Sequence, residues 1–253
     1  VRYRLDPFTL FGFAQWADDK QGTAATTTPP TLATAAPQTV YGGRLSFALF
    51  PGWTLGVNYR LDQLNGAAAA GAPHLGAQQG SGWSADLSGA LLAGLKLTVE
   101  YAGYNNTTAA ASGSYWIARA DLDLAQLLGV EPMSPKLALW YKDFDPLQIP
   151  RPRAGLQSPD FYPMFAYTPN LRAFGARLDL QLMENVKGWA LGEWGDFKTP
   201  LAAPLSGTSW SLVEAGFTWT LAPKVDVTVY YATARAGGTD IGTFLGLYAA
   251  TSW

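Results

Sequence analysis

In Val225-Asp226-Val227-Thr228-Val229-Tyr230-Tyr231 side chains of two characters take turns residue by residue. Only a strand sends successive side chains to opposite faces, so Val225, Val227, Val229 and Tyr231 share one face and Asp226, Thr228 and Tyr230 the other. Residues 95–105 repeat the pattern, with Leu95, Leu97, Val99 and Tyr101 against Lys96, Thr98 and Glu100. Residues 53–62 set Trp53, Leu55, Val57, Tyr59 and Leu61 against Thr54, Asn58, Arg60 and Asp62; residues 173–182 set Phe174, Ala176, Leu178, Leu180 and Leu182 against Arg177, Asp179 and Gln181. A chain of such segments is all-β, with one apolar and one polar face along each strand.

The connections alternate as well. Short turns fall at Pro51-Gly52, Leu92-Ala93-Gly94, residues 183–185 and Ala222-Pro223, with a longer one over 127–135. Between them lie polar or Ala/Thr/Pro-rich stretches at 17–38, 63–82, 106–113, 145–170, 198–208 and, shorter, 237–240. Short turns at one rim and long loops at the other predict an antiparallel up-and-down transmembrane β-barrel. Twelve strands follow, starting near Phe8, Thr39, Trp53, Trp83, Leu95, Tyr115, Lys136, Ala173, Val186, Ser209, Val225 and Ile241.

Composition narrows the solvent. Charged residues are 14% of the 253, well below the quarter usual in soluble domains, while 10 tryptophans are present. No apolar run is long enough for a transmembrane helix. A net charge of −2 lacks the basic face nucleic acid calls for. With no cysteine there is neither a disulfide framework nor thiolate chemistry.

Aromatic residues gather at strand ends. Trp53, Trp189, Trp219 and Trp253 fall towards the short turns, and Trp16, Trp83, Trp116, Trp194 and Trp210 towards the long loops. Two such belts predict two membrane–water interfaces, where amphipathic rings settle. The final strand-like run ends on Trp253, a terminal aromatic that resembles the ending of outer-membrane barrel proteins.

The register points a mixed set of charges inward: Arg44, Arg60, Lys96, Arg119, Lys142 and Arg177 with Asp62, Asp86, Glu100, Asp121, Asp123, Asp179, Glu214 and Asp226. Individually these read as residues that pair across strands and solvate the wall. Collectively they predict a hydrated pore with a slight acidic excess, no ring of one sign, and a slight preference for cations. Catalysis finds no support: the one histidine, His74, lies in a low-complexity loop, and no cofactor or metal-ligand cluster is apparent. The stretch 145–170 carries Pro146, Pro150, Pro152, Pro159, Pro163 and Pro169 with Phe161, Tyr162, Phe165 and Tyr167 between them. Folding into the lumen, packing on a neighbouring subunit and capping its own strands all stay open for it.

Residues 1–6 alternate like a segment descending to a short turn, Asp6-Pro7 reads as that turn, and 7–253 as the barrel region. The expectation is that the chain starts inside a strand, as the C-terminal part of a larger barrel; a short tail on a complete twelve-stranded barrel is the alternative.

Leu221-Ala222-Pro223-Lys224-Val225-Asp226-Val227-Thr228-Val229-Tyr230-Tyr231-Ala232 and Leu49-Phe50-Pro51-Gly52-Trp53-Thr54-Leu55-Gly56-Val57 look like porin strand pairs. With Ala/Leu/Gly-rich, lysine-poor usage, the chain resembles the barrel of the S-layer-homology porins of the Deinococcus–Thermus group. The resemblance implies a bacterial outer-membrane location, a homotrimer in the lipid bilayer, and envelope or cell-wall partners reached through an upstream domain absent from this sequence. The function expected is passive diffusion of small hydrophilic solutes and ions; the alternative is a non-conducting envelope scaffold plugged by its loops.

Overall fold

The computed structural model describes residues 2–17, 38–64, 79–107, 111–129, 133–145, 170–201, 207–223 and 225–251. The proline-rich stretch 146–169, His74 and Trp253 lie outside them, as does the side chain of Trp16. The described strands are β1 (Arg2–Leu5), β2 (Phe8–Ala17), β3 (Gln38–Phe50), β4 (Trp53–Leu64), β5 (Gly80–Leu92), β6 (Leu95–Asn106) and β7 (Ala111–Asp123), then helix α1 (Leu124–Leu128). There follow β8 (Lys136–Phe144), β9 (Leu171–Met183), β10 (Val186–Leu201), β11 (Gly207–Ala222), β12 (Val225–Ala236) and β13 (Thr239–Thr251). These form one antiparallel meander in sequence order, β1 to β13. Most run 12 to 16 residues, against five or six in ordinary soluble sheets.

Two compact units are distinguished. The first holds β1–β4 with residues 80–86, 101–106 and 111–114; the second holds the remaining described parts of β5–β7 and all of α1 and β8–β13. In the first, β1 pairs with β2 across the Asp6-Pro7 turn, from Arg2↔Phe11 to Leu5↔Phe8. Strands entering from long connections begin up to four residues earlier than the alternation indicates, at Gly80 and Ala111. Gly80-Ser81-Gly82 and Ala111-Ser112-Gly113-Ser114 have too little side-chain contrast to show a period, yet their backbone ladders. The rule of long loops at one rim is also looser than expected: β12 and β13 are joined there by the two-residue turn Gly237-Gly238.

The connection expected at 127–135 as a plain turn begins earlier, with α1 following directly on β7. Asp123 caps that helix by accepting from the Gln126 backbone N–H at 3.1 Å, and Gly129 closes it in the left-handed region, donating to the Ala125 carbonyl at 2.9 Å. Asp123, assigned above to the wall alone, therefore also serves a cap.

Period two gives each unit two distinct faces. In the first unit Leu45, Val57 and Tyr59 stand exposed on one face while Asn58, Arg60 and Asp62 are buried on the other. In the second, Leu139, Phe174, Val213, Phe217, Leu245 (80% exposed) and Leu247 are exposed, while Lys142, Glu193 and Glu214 are buried opposite.

Candidate functional site

By strand parity the fourteen charged positions singled out from the sequence fall on the polar face, in step with buried residues such as Asn58, Ser84, Glu193 and Thr228. In the first unit Arg44 of β3 crosses β4 to reach β5. Its guanidinium grips Asp86 with two bonds, Nη1–Oδ2 at 2.5 Å and Nη2–Oδ1 at 2.9 Å, and Nη1 also donates to Asn58 at 3.1 Å. Gly56 makes this crossing possible: a Cβ there would lie 2.1 Å from the Arg44 Nη2. Asn58 passes the network on to Ser84 at 2.9 Å. Towards the long connections Arg60 holds Asp62, its neighbour at i+2, through Nε at 2.9 Å and Nη2 at 2.6 Å, and Tyr104 donates to the same carboxylate at 3.3 Å. Asp62 has no solvent exposure.

In the second unit one carboxylate gathers three side chains over a span of four strands, β8 to β11. Glu193 of β10 pairs with Lys142 of β8 at 2.8 Å and accepts from the indole N–H groups of Trp140 (2.8 Å) and Trp210 (2.9 Å, from β11). Trp140, Gly175 of β9 and Glu193 are register mates in one row. The absent side chain at Gly175 lets the indole cross β9, since a Cβ would sit 2.4 Å from the ring. Below this, Trp189 donates to Glu214 at 2.7 Å and lies over Gly216, with the Arg177 guanidinium 5.3 Å from its ring centre. The second carboxylate oxygen of Glu214 is buried without a partner among the described residues. Glu100 accepts from Tyr115 at 3.2 Å, and Asp226 from Thr220 at 2.7 Å.

Towards the short turns the polar face opens into a cavity of about 630 Å³ lined among others by Lys96, Arg119, Asp121, Asp123, Lys136, Asp179 and Lys187. Arg119 pairs with Asp121 at 2.5 Å and Arg177 with Asp179 at 2.8 Å.

Two belt assignments need correction. Trp189 and Trp210 lie on the polar face, bonded to Glu214 and Glu193, and Trp210 is only 4% exposed. Parity carries the signal: Trp189 is five residues from Trp194 and Trp210 nine from Trp219, so neither pair can share a face of its strand. On the apolar face Trp83 packs on Tyr101 (5.5 Å), Trp116 on Tyr141 (4.6 Å) and Trp194 on Phe174 (6.0 Å), all towards the long connections. Trp53, against Phe50 at 5.7 Å, and Trp219 sit on that face near the short turns. Just beyond the upper aromatic pairs the same face turns ionic. Asp143 pairs with Arg172 at 3.0 Å and with Lys198, which also reaches Asp145 at 2.9 Å. Sequence reasoning passed over that cluster, and over Glu193, Trp140, Lys136 and Lys187.

No family model and no curated protein matches the sequence. Solved structures do. OccK11 (OpdR) of Pseudomonas aeruginosa superposes with a TM-score of 0.60 at 12% identity, over 98% of this chain and 68% of that one. A double variant of OccD1 (OprD) gives 0.57 at 14% identity, over 98% and 66%. The fold is that of the outer-membrane β-barrel channels. This chain spans about two thirds of the length of those two channels. In outer-membrane barrels the apolar face of each strand meets lipid and the polar face the interior. Neither match is an S-layer-homology porin, so that finer resemblance has the residues quoted for it as its basis.

Proposed function

We propose that the protein is a passive channel of the bacterial outer membrane, carrying small hydrophilic solutes and ions along its polar face. The observation that carries the reading is the segregation of the two faces. Exposed leucine, valine and aromatic side chains over both units need lipid as their solvent, while the fourteen charged positions stand opposite. The dimensions agree. Trp194 and Val186, the register mate of Trp219, are eight residues apart on β10. That is about 26 Å of strand, or about 20 Å along the bilayer normal at the usual tilt, near the roughly 25 Å apolar band of such barrels. The ionic cluster of Asp143, Arg172 and Lys198 then stands at headgroup level, just past the aromatic rings.

Within this reading the membrane bilayer is the main partner and no reaction is catalysed. Trimeric assembly and envelope or cell-wall contacts through an upstream domain follow from the S-layer-homology resemblance alone. The test is solute flux: liposomes carrying the full-length protein are expected to swell in isotonic small sugars, faster for smaller sugars. Swelling no faster than in protein-free liposomes, with insertion verified, would contradict it.

A second reading, a non-conducting scaffold, is favoured by one observation. Asp62, Lys142 and Glu214 on the polar face are at most 1% exposed, so the face is packed rather than open at their levels. The flux experiment separates the two readings.

A further inference from the structure

The cavity at the short-turn end contains charges whose pairing is lopsided. Its carboxylates are already engaged: Asp121 by Arg119, Asp179 by Arg177 through three contacts of 2.8–3.0 Å, and Asp123 by the first turn of α1. Lys136 shows the consequence most clearly. Its register mates on either side are Asp123 and Asp179, yet it makes an ion pair with neither among the described residues. Lys187, opposite Gln181, and Lys96 on β6 line the same cavity and likewise have no carboxylate partner among the described residues. Counting Arg177 beside Asp179, five cationic side chains face three carboxylates, and the three uncommitted charges are all ammonium groups.

We propose that this cavity is a binding site for a small solute carrying two or more negative charges. Three separate ammonium groups on β6, β8 and β10 are point charges with rotatable donors, suited to an anion that offers several oxygens in different directions. A monovalent anion would engage one of them and leave the others as they are. The arginines, whose flat forks suit a single carboxylate, are already closed on aspartates. The cavity volume of about 630 Å³ leaves room for a solute with its hydration water. The slight cation preference read from the sequence is reversed at this mouth, because that tally gave equal weight to carboxylates that arginine and a helix end have taken up. The proposal deepens the channel reading and rests on it for access to the cavity from bulk water, but the binding step stands apart from conduction.

Inorganic pyrophosphate and acetate are the probes, titrated by calorimetry into the full-length protein in non-ionic detergent at low ionic strength. Saturable pyrophosphate binding is expected, at least tenfold tighter than acetate and weakening as salt is added. Lys136→Gln/Lys187→Gln is expected to lose at least tenfold in pyrophosphate affinity, while Lys198→Gln on the other face leaves it unchanged. If the double variant does not fold, Lys96→Gln alone, at an exposed position, is expected to lose about threefold or more. No saturable binding, equal affinity for the two probes, or affinity indifferent to the cavity variants would overturn the site. A protein that binds pyrophosphate but passes no solute would overturn the channel reading instead and leave the site standing.

Discussion

Lys142 and Glu193 meet at 2.8 Å across an intervening strand, both almost wholly withdrawn from water. Each charge offsets the other there, and the two indoles donate to the same carboxylate. Glu193→Ala takes from a buried ammonium and two indole N–H groups the carboxylate they share, and is expected to cost about 3–5 kcal/mol. Lys142→Met/Glu193→Gln is expected to recover most of that loss, since it removes both charges and keeps an acceptor for tryptophan. Urea unfolding of the bilayer-refolded protein measures both. Equal instability of the single and double variants would contradict the account.

Glu214 is a weaker arrangement, with one oxygen bonded to Trp189 and the other unpartnered among the described residues. Trp189→Phe strips the bonded oxygen as well and is expected to cost about 1–3 kcal/mol. Glu214→Gln is expected to be neutral or stabilising, because it removes a buried charge while retaining the acceptor. The same unfolding titration decides; strong destabilisation by Glu214→Gln would show that the charge itself is needed.

Two glycines differ in what they make room for. A methyl at Gly175 meets the rigid Trp140 ring at 2.4 Å, whereas one at Gly56 meets the far end of the Arg44 side chain at 2.1 Å. Overpacking against a fixed ring costs about 1–3 kcal/mol. Gly175→Ala is therefore expected to lower stability more than Gly56→Ala, whose arginine has other rotamers. The reverse order, read from thermal unfolding midpoints, would contradict the packing described here.

The two faces differ in their tolerance of charge. Ala215 lies on the apolar face, exposed, near mid-height between Trp194 and Trp219, and Gln181 lines the cavity on the polar face. Ala215→Arg is expected to cost about 2–4 kcal/mol, and Gln181→Arg little, as measured by the refolded fraction in lipid. Thr228, although on the polar face, is an unsuitable comparator: it is 2% exposed and its hydroxyl lies 2.8 Å from that of Thr218. Equal refolding of the Ala215 and Gln181 variants would contradict the face assignment.

Much of the fold is legible in the sequence because period two is a local property. Val225–Ala236 alternates over its first seven residues, and the alternation starts at the residue where β12 begins. Less legible were segments whose side chains give no contrast, such as Gly80-Ser81-Gly82, and the helical turn after Asp123, too short to develop a period of its own. The same parity sets which charged residues share a face with Asn58 and Glu214. Trp189 and Trp210 follow parity rather than the interfacial preference of tryptophan, because their indoles bond to Glu214 and Glu193. The hub at Glu193 and the release of Lys136 from its two register mates were out of reach. Both depend on which partner each side chain selects across strands far apart in sequence.

The central claim, that this polar face conducts, is tested most directly by single-channel recording of the full-length protein in a planar bilayer. Discrete, ohmic current steps are expected, with steps of the Lys136→Gln/Lys187→Gln variant showing a reversal potential shifted towards cations under a salt gradient. Silent bilayers in which insertion of the protein has been verified would contradict the account.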